Sequence, residues 1–297
     1  MKNINSLSRR GIIKSGLAAC AGILSFDKIA KGAEEVNKPA EVKKAIKEIP
    51  VGLQLWTVRT ECAKDFPGTI AKVAKMGYKG VEFAGFYERS AKDIRKMLDD
   101  NGLICCGSHT QLNLLSNETL AATMEFNRAI GNKYVVVPYL DRQTLKSKEE
   151  WLAKAKTFNE LTDKTRSEGV NIGYHAHKGD FLPIEGETPW DILFGNTSKE
   201  VFMQLDTGNA MQGGADPVAV LKRYPGRSLS IHLKEFSATN NKALIGEGDV
   251  KWQEVFAVCE STGGTQWYII EEESGQYPPL EAAELSLKNY KKLRNMA

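Results

Sequence analysis

Between residue 51 and the C-terminus, short apolar runs of strand length alternate with longer amphipathic segments, and the alternation repeats eight times. The strand candidates are Val51–Trp56, Gly80–Phe83, Leu103–His109, Tyr134–Tyr139, Val170–His177, Val201–Asp206, Ser228–Lys234 and Trp267–Glu272. The intervening helix candidates are Thr69–Met76, Ser90–Asn101, Asn117–Ile130, Ser147–Glu168, Asp216–Arg223, Trp252–Ser261 and Pro279–Asn295. Only a short helix signal, Trp190–Phe194, follows the fifth strand. Several of these helices stop at glycine, and one opens Asp-Pro, a capping residue followed by the favoured first-turn proline. Strands alternating with helices imply parallel βαβ units. Eight units in about 250 residues is the size of a closed (β/α)8 barrel. An open doubly wound sheet would call for a glycine-rich loop after the first strand. Leu55-Trp56-Thr57-Val58-Arg59 is not one.

Residues before the first strand differ in character. Residues 1–50 hold ten lysines and arginines against five acids, a surplus of +5 within a whole-chain charge of +3, so the remainder carries −2. A mildly acidic body argues against a nucleic-acid partner. Ser8-Arg9-Arg10-Gly11-Ile12-Ile13-Lys14 resembles a twin-arginine export motif, and the apolar run Ser15–Phe26 after it is too short to be a membrane span. The expected organisation is a signal peptide at 1–33, a Lys/Glu/Ala/Pro-rich linker at 34–48 and one barrel at 49–297, in a periplasmic protein. Cys20 within Leu17-Ala18-Ala19-Cys20 is a second-ranked site for lipid anchoring. The remaining cysteines, Cys62, Cys105, Cys106 and Cys259, lack a scaffold spacing and are expected to pack as small hydrophobes.

In such a barrel the chemistry gathers at the C-terminal ends of the strands. All four histidines fall late in strand candidates: His109 in the third, His175 and His177 in the fifth, His232 in the seventh. On a strand, positions two apart face one way, so His175 and His177 would point together. Carboxylates follow the same rule. Glu82 lies late in the second strand, Asp206 ends the sixth, and Glu271, Glu272 and Glu273 end the eighth. Acids on apolar strands are costly unless paired or bound to a cation. A mixed His, Asp and Glu set without thiolates suits a divalent ion: Mn, Zn, Co or Mg.

The order of these motifs resembles the xylose-isomerase-like TIM barrels, the sugar (phosphate) isomerase/epimerase family. The resemblance rests on Gly52–Arg59, Tyr174-His175-Ala176-His177, Ala215-Asp216-Pro217, Pro225-Gly226-Arg227, His232-Leu233-Lys234 and Gly246-Glu247-Gly248. It implies a divalent metal held by Asp206, His232, Glu271 and a strand-5 residue. Many members have glutamate where this chain has His175. Members with the YHxH strand place an acid three residues past the second histidine, here Asp180. His175 is therefore the expected fourth ligand, with Asp180 or His177 as alternatives.

The resemblance also implies proton abstraction next to a carbonyl, through an enediolate, with Glu271 as base and His175 or His177 as a second acid/base. Expected substrate contacts are His109, Lys234, Glu82, Arg59 and Trp56, with Phe83 and Phe236 as further candidates for a sugar-stacking wall. The first reading is a sugar or keto-sugar isomerase/epimerase acting on a small-molecule sugar. A second is a lyase, dehydratase or hydrolase on a keto-sugar, keto-glycoside or inosose. A metal-dependent phosphodiesterase or endonuclease and a non-catalytic sugar-binding barrel rank lower.

Overall fold

The computed structural model describes residues 48–296. The segments expected to be a signal peptide (1–33) and a linker (34–48) lie outside that range, except residue 48. Eight strands form a closed, wholly parallel barrel in chain order. They are β1 (Val51–Gln54), β2 (Gly80–Phe83), β3 (Ile104–His109), β4 (Tyr134–Val137), β5 (Asn171–His175), β6 (Phe202–Asp206), β7 (Ser230–Leu233) and β8 (Trp267–Ile270). β1 closes the barrel by pairing with β8. The helices are α1 (Arg59–Lys64), α2 (Phe66–Met76), α3 (Ala91–Asp100), α4 (Leu120–Ala129), α5 (Lys148–Thr165), α6 (Pro189–Gly195), α7 (Thr207–Gln212), α8 (Pro217–Arg223), α9 (Trp252–Val258) and α10 (Pro279–Leu293). Two of these, α1 and α7, were not expected. No described helix is long and apolar enough to cross a membrane. The four cysteines in this range are free and buried.

Local chemistry sets the helix boundaries. Asp65 accepts the Gly68 amide at the start of α2, and Ser90 accepts the Asp93 amide at the start of α3. Ser147 and Glu150 form a reciprocal capping box at α5. Asp216 accepts the Val218 amide at α8, which explains the Asp-Pro motif. Arg227 of the Pro-Gly-Arg motif is buried and structural: it donates to the Phe194 and Val201 carbonyls and so ties α6 to β6.

The two-residue period of the strands sorts side chains into a helix-facing set and an inward set. On β5, Tyr174 faces out and packs against Trp151, Phe158 and Trp190 of α5 and α6. Inward side chains stack from an apolar base to a polar floor. Cys106, Tyr134, Val136, Phe202, Trp267 and Ile269 form a separate apolar cluster at the base. Large rings there need empty neighbours. A Cβ on Gly80 would lie 3.0 Å from the Trp267 ring, and one on Gly173 would lie 2.6 Å from the Phe202 ring. Two positions further along each strand come Glu82, His175, Gln204 and, on β8, Ile269 followed by Glu271.

This packing predicts that Gly173→Ala, which forces Phe202 aside at the root of β5, lowers stability by about 1–3 kcal/mol. Urea unfolding should show a lower midpoint with an unchanged slope. An unchanged midpoint would mean the base is looser than described.

Candidate active site

The polar floor is a buried hydrogen-bonded chain across the barrel. The His232 Nδ1–H donates to Glu271 Oε2 at 2.6 Å, and its Nε2–H donates to Glu82 Oε2, also at 2.6 Å. Glu82 is held from two further sides. Gln54 Nε2 donates to Oε2 at 2.7 Å and Gln204 Nε2 to Oε1 at 2.6 Å. The His109 Nε2–H donates to Gln204 Oε1 at 2.8 Å. Burial alone would push the His232 imidazole down, but Glu82 and Glu271 outweigh it and lift it to about 10. For Glu82, burial is likewise outweighed by His109 and His232, and the carboxyl falls well below its usual range.

Asp206 ends β6 and caps the unexpected α7, its Oδ1 accepting the Asn209 amide at 2.7 Å. That bond fixes the carboxylate and leaves Oδ2 buried with no hydrogen-bond partner. His175 Nδ1 is also buried and unpartnered. Burial first, and Glu271 with it, raises the Asp206 carboxyl to about 6 despite the nearby Lys234 ammonium. Burial and the neighbouring His232, His109 and His177 rings lower His175 well below the usual imidazole range, so it is neutral and able to act as a ligand.

His175, Asp206, His232 and Glu271 each bring one donor atom within 4.8 Å of the other three. These groups fit a divalent ion on three grounds. The donors are nitrogen and carboxylate oxygen. Two buried donor atoms have no protein partner. Finally, the four carboxylates of Glu82, Asp206, Glu271 and Glu273 outnumber the three cations nearby, Lys234, protonated His232 and Arg59, whose guanidinium lies 3.8 Å from Glu273. His109, His175 and His232 form a second group within the same limit, but His109 is already engaged with Gln204.

Lys234 follows β7 and reaches Glu271 Oε1 at 3.2 Å, and it also pairs with Glu273. Burial would lower its ammonium, but Asp206, Glu271 and Glu273 outweigh it and raise it. Glu271 is held well below the carboxylate range because Lys234 and His232 outweigh its burial. It is therefore a deprotonated carboxylate on the wall of a cavity of about 740 Å3 that opens over the strand ends.

The structure corrects several sequence expectations. β5 ends at His175, so His177 lies in the following loop. It is exposed and still lines the cavity, its ring 4.9 Å edge-on from that of His175. The residue as a whole is open to the cavity, but the groups crowded round its ring strip water from it and push the imidazole down to about 4. Asp180 is outside the donor group. Its carboxylate accepts the His177 amide at 2.8 Å and the Tyr174 hydroxyl at 3.1 Å, so it shapes the loop rather than offering a ligand. Arg59 does not line the cavity. Its guanidinium stacks 4.6 Å over Trp56 and donates to the Trp56 carbonyl. Trp56 does line it, with Nε1 donating to Glu273 at 2.8 Å. Phe83 is buried behind the wall, and the further aromatic lining comes from the half-buried Phe86 and Phe126 and the exposed Tyr139.

Gln54 and Gln204 were missed. Their signal was present: Gln204 sits two residues before Asp206 and must share its inward face. Glu235 was also missed. It anchors the β7–α9 loop by accepting the Phe236, Gly246 and Val250 amides and the Trp252 indole N–H. Gly246-Glu247-Gly248 belongs to that anchored loop.

The sequence profile of the xylose isomerase-like TIM barrel matches residues 70–293. The chain belongs to this family. Among xylose isomerase-like relatives, an inosose dehydratase of Clostridium botulinum (strain Alaska E43 / Type E3) is 25% identical over 246 residues, 70% of this chain and 82% of its own length. A sugar phosphate isomerase/epimerase from Parabacteroides distasonis has a solved structure that aligns with TM-score 0.69 and 25% identity, covering 83% of this chain and 95% of that one. The IOLI protein, solved with a bound zinc atom, shares the fold at TM-score 0.65 and 16% identity over 82% of this chain and 98% of its own.

Within this xylose isomerase-like site, Glu82 touches His232 on the side away from Glu271. Such a carboxylate orients a histidine ligand and raises its basicity. Glu82→Gln is expected to weaken zinc or manganese binding by about 10–100-fold. Chelator competition measures this, and an unchanged affinity would exclude the orienting role.

Proposed function

We propose that the chain is a divalent-metal-dependent lyase acting on a keto-sugar, keto-glycoside or inosose. It removes a proton next to the carbonyl and then expels a leaving group from the neighbouring carbon. The observation that carries this reading is the one-sided placement of base. Among the described residues the only carboxylates lining the cavity, Glu271 and Glu273, both follow β8. Across from them stand neutral imidazoles, His175 at the end of β5 and His177 in the loop after it. An ionised carboxylate on one side, with no carboxylic partner opposite, favours abstraction followed by elimination over proton return from the other face. The inosose dehydratase relative supports the same outcome.

In this reading Glu271 takes the proton, and Lys234 keeps it ionised and offers ammonium protons to a substrate oxygen. His109 and His177 hold hydroxyl groups on the floor. His175, Asp206, Glu271 and, once it gives up one of its two ring protons, His232 would hold the metal, which supplies Lewis-acid polarisation of the carbonyl when bound. The zinc atom in the IOLI protein supports a metal in this fold. We further propose that the enzyme is exported by the Arg9-Arg10 signal and works in the periplasm.

A second reading, isomerase/epimerase, is favoured by the Parabacteroides distasonis relative. It uses the same abstraction but returns the proton. The two part at the product. Metal-loaded enzyme incubated in D2O with a panel of keto-sugars, keto-glycosides and inososes should give an unsaturated product and a released alcohol or water by NMR. A deuterated isomer instead would establish the second reading, and no exchange with any substrate would remove both.

Glu271→Gln should lower the exchange rate by about 10²–10⁴, the range of general-base contributions. Retention of the wild-type rate with metal still bound would move the base elsewhere. Dialysis against a chelator should abolish turnover, and added divalent ion should restore it. Full activity in a preparation shown by metal analysis to be metal-free would exclude the metal.

A further inference from the structure

The cavity is chemically divided. The candidate ligands on its charged floor come from β5–β8, with Glu82 and His109 of β2 and β3 beside them, and the opposite wall comes from segments after β1–β4. That wall is formed by Trp56, Phe86, Leu114, Phe126 and Tyr139. Three of them are strongly exposed: Trp56 at 45%, Leu114 at 45% and Tyr139 at 52%. Only seven large hydrophobic side chains are exposed among the described residues, so nearly half of them ring this one mouth. Exposed apolar surface concentrated in this way marks a ligand site rather than random surface.

The wall is also held rigidly. Phe86 packs 4.4 Å from Phe126 and 5.4 Å from Phe83, ring centre to ring centre. The two residues after it, Tyr87 and Glu88, both adopt positive φ, 52° and 57°, without being glycine. Tyr87 is pinned by stacking on Phe66 at 4.7 Å. Strained backbone of this kind persists where the surroundings over-determine it, commonly at ligand sites. Together these side chains present more apolar surface than one polyhydroxylated ring covers, beside polar neighbours such as Gln111 and Asn127, and the volume of about 740 Å3 is that of sites enclosing drug-sized ligands.

We propose that the β1–β4 wall is a subsite for an apolar leaving group, so that the substrate is a keto-glycoside with a hydrophobic aglycone. This rests on the lyase reading and names its substrate class. Glu271 takes the proton from the carbon next to the carbonyl. The electron pair freed becomes a carbon–carbon double bond, and the bond from the next carbon to the glycosidic oxygen breaks. That oxygen leaves with the bonding pair, takes a proton from water at the open mouth and departs as the alcohol. No oxidant or reductant is required. The sugar ring sits on the charged floor and the aglycone against Leu114, Tyr139 and Phe86.

The test compares methyl with cyclohexyl glycosides of glucose, galactose and mannose, whose leaving alcohols differ in apolar area far more than in basicity. Calorimetry on metal-loaded full-length protein should show cyclohexyl glycosides binding at least tenfold tighter than their methyl partners in the sugar series that fits. Leu114→Ser, and separately Tyr139→Ser, both at exposed positions and checked for folding by thermal melting, should cut that preference at least threefold. No preference, or no cyclohexyl binding at millimolar concentrations, overturns the subsite. Turnover then separates the two claims. If the keto forms bind with cyclohexyl preference but neither exchange deuterium nor release alcohol, the subsite stands and the lyase reading falls. If methyl and cyclohexyl keto forms react equally fast, the lyase reading stands and the subsite falls.

Discussion

The floor of this barrel depends on one buried imidazole between two carboxylates. His232 bridges β7 to Glu82 of β2 on one side and to Glu271 beyond β8 on the other. Each partner alone would be an expensive buried charge. Together they satisfy one another, and the two glutamines complete the lone pairs of Glu82. Losing one partner from such a set leaves an unpaired buried charge, costing about 3–5 kcal/mol. The same chain fixes the donor atoms that face the cavity: His232 orients Glu271, and Lys234 steadies it from the other side. Stability of the floor and readiness of the site are thus one arrangement.

From that floor the mouth divides by chain order. β5–β8 deliver His175, Asp206, His232 and Glu271. The segments after β1–β4 deliver an apolar wall. A closed barrel allows this because consecutive strands are neighbours, so each half of the sequence covers half of the rim. The division places the four candidate ligands in the second half of the chain, while Glu82 of β2 supports His232 from beneath. It also explains why the first half spends large side chains on the surface.

Much of this was legible in sequence, since the strand period and the barrel size are carried by residue type alone. The eight runs, Gly80–Phe83 without adjustment, match the eight strands. His175, Asp206, His232 and Glu271 could be placed together because strand ends converge. His177 lies past the end of β5, where alternation no longer dictates direction. Asp180 was ambiguous because an acid near a histidine pair can ligate or cap a loop, and only the Tyr174 hydroxyl and the His177 amide decide between them. α7 was hidden because its cap, Asp206, also reads as a site residue. Of the apolar wall only Trp56 was read, and Phe83 and Phe236 were named in error, since Phe86, Leu114, Phe126 and Tyr139 meet only through tertiary folding of separate loops.

The central claim is that these four strand-end residues form a metal centre. Anomalous diffraction from crystals of manganese- or zinc-loaded protein tests it most directly. The account predicts a single strong peak among His175, Asp206, His232 and Glu271, at the distances of about 2.0–2.2 Å usual for nitrogen and oxygen donors to zinc. A well-occupied peak elsewhere, or none here at saturating metal, would contradict it.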